Sequence, residues 1–179
     1  MTKIYRIIIF LTLINLPFST YAHIQHYEDL KRIEFDIYRN NKLIGTHIFS
    51  FKKLDGQLAV KSEINFKIKK FGIVFYTYHV EGTEIYEDGK LIKFNSKTNQ
   101  NGKEKYVNMI LENEEYTIDG SSYQGKVPED YLLGTWWNHS IVKAEAQISA
   151  VSGRIIKQKV TFLSKEIIKL GEKSYNTLH

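Results

Sequence analysis

The chain has 179 residues, 25 Lys plus Arg against 20 Asp plus Glu, a formal net charge of +5 and no cysteine. Without cysteine there is no disulfide framework, no thiol nucleophile, no zinc-thiolate site and no lipidation cysteine. The lysines are interleaved with acids along the chain instead of gathered in one run, so the basic balance is not a nucleic-acid footprint; attraction to anionic membrane surfaces is the minority alternative.

Residues 1–22, MTKIYRIIIFLTLINLPFSTYA, carry Lys3 and Arg6, an apolar run from Ile7 to Leu16, and a small-residue exit with Thr20 and Ala22. This reads as a secretory signal peptide. The run is about half the ~20 residues that a membrane-spanning helix needs. Export to the periplasm is therefore expected, with residues 23–179 as one β domain and no transmembrane segment after cleavage.

The β reading rests on composition and period. Twelve Tyr and ten Phe stand against two Pro, and alternation of apolar and polar residues recurs along the chain. Ile33, Phe35 and Ile37 begin it. Leu58, Val60, Ser62, Ile64, Phe66 and Ile68 then alternate with Ala59, Lys61, Glu63, Asn65, Lys67 and Lys69, and Val107, Met109 and Leu111 follow further on. From Ile73 to Glu87 both faces carry large groups, Val74, Tyr76, Tyr78 and Val80 on one and Phe75 and Ile85 on the other, which predicts a central strand covered on both sides. Turn pairs at Asn40-Asn41, Asp55-Gly56, Asp88-Gly89, Asn101-Gly102 and Asp119-Gly120 punctuate the runs. The predicted fold is an antiparallel meander curled into a barrel or half-barrel.

After Gly120 the rhythm breaks. Residues 121–142 are read as one long irregular loop with a short helical turn, too apolar to be disordered. It holds both tryptophans, Trp136 and Trp137, followed by Asn138. Strand-like alternation resumes at AQISAV, turns at Ser152-Gly153, runs through RIIKQKVTFL, turns again at Gly171 and stops in SYNTLH. No partner strand follows SYNTLH, so Tyr175 and Leu178 are expected to be poorly buried beside Ile64 and Phe66.

Three stretches carry a family resemblance: EFDIYRNNKLIGTHIFSF, KKFGIVFYTYHVEGTEIYEDGKLIKFNSKTNQNGK and TWWN. Their most specific pieces are Ile44-Gly45-Thr46, the Tyr86–Leu91 turn and Trp137-Asn138. Together they resemble a family of small exported bacterial proteins catalogued as a domain of unknown function (domain of unknown function 6134). The resemblance implies export and a mostly β fold, and it brings no activity and no catalytic residue. The fold it implies looks like the half-barrels of periplasmic lipoprotein carriers, an analogy that does not fix function. Such proteins continue with a further hairpin, so this chain either lacks a C-terminal hairpin or closes its sheet differently.

No chemical constellation rises above its bland alternative. His23 and His26 would lie at the mature N-terminus, where a metal is conceivable but a solvated tail is the simpler reading. His47 shares a face with Phe49 and Phe51 and reads as a core-edge histidine. Ser121 and Ser122 form no nucleophile elbow. Glu81 and Glu87 share a face about 20 Å apart, too far for a carboxylate dyad, with Glu84 on the other face. Asn138-His139-Ser140 is a coincidental sequon in an exported bacterial protein.

The tryptophan segment is read as a plug over the mouth of the curled sheet, one Trp buried and one free, and secondarily as a lid over a ligand. The expected ligand is a hydrophobic or acylated small molecule in the concave face, touched by Trp136, Trp137, Asn138, Tyr76 and Tyr78. The alternative is a ligand-free module that docks on an envelope protein through a sheet edge or aromatic patch. No catalytic residue, metal or cofactor is expected.

Overall fold

The computed structural model describes residues 29–179. The signal-peptide reading, the cleavage site and the two N-terminal histidines lie outside the described residues.

Eight strands follow one another and pair in chain order: β1 (Arg32–Arg39), β2 (Lys42–Leu54), β3 (Gln57–Lys70), β4 (Ile73–Glu87), β5 (Lys90–Gln100), β6 (Lys103–Glu112), β7 (Glu115–Gly120) and β8 (Tyr123–Pro128). Every pairing is antiparallel. β1 and β8 do not pair with each other, so the sheet stays open as a half-barrel and does not close into a barrel. Asn40, Asn41, Asp55, Asp88 and Asn101 adopt the left-handed backbone that tight hairpins require.

Alternation decides which face is buried. Phe49 and Phe51 of β2, Leu58 and Val60 of β3, Phe94 of β5, Val107 and Met109 of β6 and Ile118 of β7 all point inward to one core. Burying a side chain of this size is worth ~1.5–3 kcal/mol each, which fixes the register of the long strands.

Several details differ from the sequence reading. β8 occupies Tyr123–Pro128, so the irregular segment begins only after it. Asp119-Gly120 ends β7 and the chain turns two residues later. Gly120 is needed for a close approach instead, since a Cβ there would sit 2.8 Å from the Ser152 carbonyl. Turns at Phe71-Gly72 and Asn113-Glu114 carry positive φ without having been singled out. β4 is central as expected but covered on one side only, with Phe75 59% exposed.

Residues 129–160 cover part of the inner face. They form a small sheet of β9 (Leu132–Leu133), β10 (Ala146–Ile148) and β11 (Ile155–Lys157), plus a 3-10 helix at His139–Lys143. The predicted strand through RIIKQKVTFL is strand only at β11, and the chain is irregular from 158 to 164. SYNTLH does find a partner: β12 (Lys165–Leu170) pairs with β13 (Lys173–Leu178) in a hairpin, all but one of whose residues is exposed. Tyr175 and Leu178 are 45% and 77% exposed, whereas Ile64 and Phe66 are half-buried.

Candidate functional site

The inner face of the sheet is divided in two along its strands. At one end the covering segment seals it. Trp137 is 4% exposed, its ring edge-on to Phe51 at 5.4 Å and to Tyr86 at 5.6 Å. Trp136, its neighbour, is 80% exposed. The chain bends at Trp136 and Trp137, one ring turning into the core and the other staying outside.

Beneath Trp137 lies a group that sequence reasoning passed over. Glu84 is completely buried, on the inner face of β4 between Gly82 and Tyr86. The Trp137 indole Nε1–H donates to its Oε1 at 3.0 Å, and the Tyr86 hydroxyl donates to Oε2 at 2.5 Å. A buried carboxylate without donors would be far too costly, and these two meet much of that cost. Burial still wins: it pushes the carboxyl up to about 7, against the pull of Tyr86, Trp137 and, more weakly, Thr135. The Thr135 hydroxyl is buried beside this carboxyl without a hydrogen-bond partner of its own. The signal was present in the sequence, because the alternation that puts Tyr78 and Val80 inward also puts Glu84 there.

Asn138 is tied into the cover. Its side-chain oxygen accepts from the Ser140 backbone N–H at 3.0 Å and caps the 3-10 helix. A second anchor holds the cover's far side: the Ser96 hydroxyl donates to the Ala150 carbonyl at 2.6 Å, and the Ser122 N–H donates to the Ser152 carbonyl. A cavity of about 270 Å³ remains between the cover and the β4–β5 turn, lined by Lys90, Leu91, Tyr116, Leu132 and Asn138 among others.

Past the cover, the inner face continues bare. Tyr76 and Tyr78 of β4 stack with Phe66 of β3 at centroid distances of 5.9 and 5.0 Å. All three are half-buried. Gln100 donates to the Tyr76 hydroxyl at 2.9 Å and accepts from Lys105 at 2.6 Å, giving the strip one polar margin. On the other side Phe35 meets Phe49 edge-on, and His47 lies 4.2 Å from the Phe49 ring, where burial lowers its pKa. Burial, and then Tyr76, raises the Tyr78 hydroxyl.

The five residues expected to meet a ligand thus separate into two groups. Trp137 and Asn138 hold the cover in place, and Trp136 faces solvent beside them. Tyr76 and Tyr78 belong to the bare strip, six or more residues along β4 from Glu84. Among the described residues there is no cluster of three His, Cys, Asp or Glu able to hold a metal ion, and no helix is long and apolar enough to cross a membrane.

Fold and site define a class: an open antiparallel half-barrel whose inner face is sealed at one end by its own chain. The chain belongs to the family described as Domain of unknown function (DUF6134), which matches residues 35–179. No curated protein and no solved structure matches it.

Proposed function

We propose that this is an exported protein that holds a hydrophobic or acylated ligand along the bare half of its concave face. The observation that supports the reading is the half-exposed Phe66–Tyr76–Tyr78 stack, which continues the buried core rows past the point where the cover ends. A folded protein gains by covering such a surface, and an acyl chain laid across the rings would cover it without further hydrogen bonds. Tyr76 with Gln100 and Lys105 offers hydrogen-bond partners to a polar headgroup at the margin. In this reading Tyr76 and Tyr78 touch the ligand, while Trp137 and Asn138 fix the cover that ends the groove.

Native mass spectrometry of protein purified from its own periplasm, paired with displacement of a fluorescent fatty acid, tests the proposal. The expected result is a co-purifying lipid and a loss of at least tenfold in affinity for Tyr78→Asp. A clean unliganded mass together with unchanged probe binding in Tyr78→Asp overturns it. Recovery in the osmotic-shock fraction tests the export.

Docking on an envelope protein is favoured by a different observation, the exposure of Ile167, Leu170 and Leu178 on β12 and β13. A photo-crosslinker at Leu170 that captures one defined adduct in cells, lost in Ile167→Lys, supports that second reading.

A further inference from the structure

The long β3–β4 hairpin reaches past its neighbours. The ladder with β2 stops at Gly45 opposite Phe66, and the ladder with β5 stops at Tyr78 opposite Gln100. Beyond those pairs, apart from the Asn101 N–H donating to the Thr77 carbonyl, the two strands pair with each other up to the turn at Phe71-Gly72, a projection of roughly 15 Å at ~3.3 Å per residue. Its tip is apolar on the outside: Phe71 is 91% exposed, Ile73 63% and Phe75 59%. Isolated exposed apolar residues are ordinary, but this is a contiguous set at the extremity of a projecting element.

Charge accompanies it. In a meander the first, third and fifth turns fall at one end of the sheet. The third carries Lys67, Lys69 and Lys70, the Lys70 ammonium standing 5.6 Å from the Phe71 ring centre. The first adds Arg39 and Lys42, and Lys42 and Leu43 lie alongside Lys67 and Lys69. The fifth adds Lys103 and Lys105 with Glu104 between them, and the seventh, at the same end, adds Asp119. The second, fourth and sixth turns, at the opposite end, carry Lys52, Lys53 and Asp55, then Glu87, Asp88 and Lys90, then Glu112, Glu114 and Glu115, so that acids outnumber bases there. The positive excess hidden in the chain order is thereby sorted to the end that bears the apolar tip.

We propose that the β3–β4 tip docks this protein on an anionic lipid bilayer, Phe71 and its apolar neighbours entering the interfacial layer while the surrounding lysines and Arg39 meet the headgroups. The two chemistries are those of interfacial anchoring, limited burial of apolar side chains plus electrostatic attraction, and the acidic opposite end orients the molecule with this tip toward the membrane. Phe71 is not part of the Phe66–Tyr76–Tyr78 stack, so the inference stands apart from the proposed groove.

Co-sedimentation of the folded protein with vesicles of phosphatidylcholine alone, and with an equimolar mixture of phosphatidylcholine and phosphatidylglycerol, is the test. Binding to the mixed vesicles alone is expected, lost progressively as salt is raised. Phe71→Ser and Lys69→Glu should each weaken it severalfold and together at least tenfold. Lys52→Glu, the same charge change near the opposite end, should leave it within twofold. Each altered side chain is exposed, so circular dichroism should confirm an unchanged fold. Equal binding to neutral vesicles, equal loss in Lys52→Glu, or no binding to either vesicle overturns the proposal, the last outcome favouring an acidic protein as the partner of this tip.

Discussion

The two ends of the half-barrel are built from the same strands with the same alternation, and they differ in what lies on the inner face. At the acidic end Trp137, Leu133 and Ile148 complete a core around Phe51, Tyr86 and Phe94. At the basic end the same rows run on through Phe66, Tyr76 and Tyr78 without a cover. Alternation therefore specifies a face that can be buried, and the irregular segment decides how much of it is. The comparison separates residues that hold the fold from residues left uncovered, and it can be tested in order of expected effect.

The largest difference should lie between the adjacent tryptophans. Trp137→Ala removes two edge-to-face aromatic contacts and a hydrogen-bond donor to Glu84, and should destabilise by about 3–5 kcal/mol in chemical denaturation. Trp136→Ala should change stability by less than about 0.5 kcal/mol. Equal effects would mean that the cover does not seat as described.

Glu84 makes the sealed end sensitive to pH. Its carboxyl is raised from 4.5 to about 7 in the folded protein, so between those values the folded state keeps a proton that the unfolded chain has released. Stability from this group is therefore greatest at low pH, falls as pH rises from about 4.5 toward 7 and levels off above, a loss on the order of 3 kcal/mol at full extent. His47 works in the opposite sense, because burial lowers its pKa and its contribution is lost as pH falls below its ordinary 6.5. Glu84→Gln isolates the first effect. The amide stays neutral, its oxygen can accept from Trp137 or Tyr86, and its N–H groups can find the Thr135 hydroxyl. Denaturation curves should show the variant gaining on the parent protein near pH 8 and matching it near pH 5; parallel pH profiles would mean that Glu84 is ionised throughout.

At the open end the corresponding truncation should be milder. Tyr78 is half-buried and stacks with Phe66 and Tyr76 without a cover over the three rings, so Tyr78→Ala is expected to cost about 1 kcal/mol in the unliganded protein. A cost as large as that of Trp137→Ala would show that the strip is core, with nothing left over for a ligand.

Much of this was legible in the sequence, and the misses have specific causes. Strict alternation in Leu58–Ile68 and the pairs Asp55-Gly56, Asp88-Gly89 and Asn101-Gly102 located strands and turns because period and positive-φ residues agree there. Phe71-Gly72 was passed over because aromatic residues seldom take positive φ, and β8 because Gly125 and Pro128 mask a short edge strand. The tryptophan pair was legible as one buried and one exposed residue, although the chain bends there where extended backbone was expected. Glu84 was set aside as lying on the face opposite Glu81 and Glu87, although that parity placed an acid among core residues and so called for buried donors. The sorting of charge between the ends was invisible to a count along the chain and follows only when alternate turns are assigned to opposite ends.

The smallest effect is expected in the β12–β13 hairpin. Two strands alone are marginal in water, and here both faces are exposed, Ile167 at 68% and Leu170 at 66%. The contacts seen within it are its own ladder, the Thr177 hydroxyl donating to the Glu166 carbonyl, and His179 beside Glu166. With so little apolar surface covered, it should open locally at a free energy well below that of the β4–β5 ladder, whose inner residues Phe94 and Thr98 are fully buried. Ile167→Lys should accordingly shift global stability by less than about 0.5 kcal/mol. Hydrogen exchange measures the same quantity without a mutation: amides of residues 173–178 should exchange orders of magnitude faster than those of β4 and β5. Strong protection at Thr177 and Leu178 in the isolated monomer would break the comparison, because it would require a cover on this hairpin comparable to the one Trp137 provides at the sealed end.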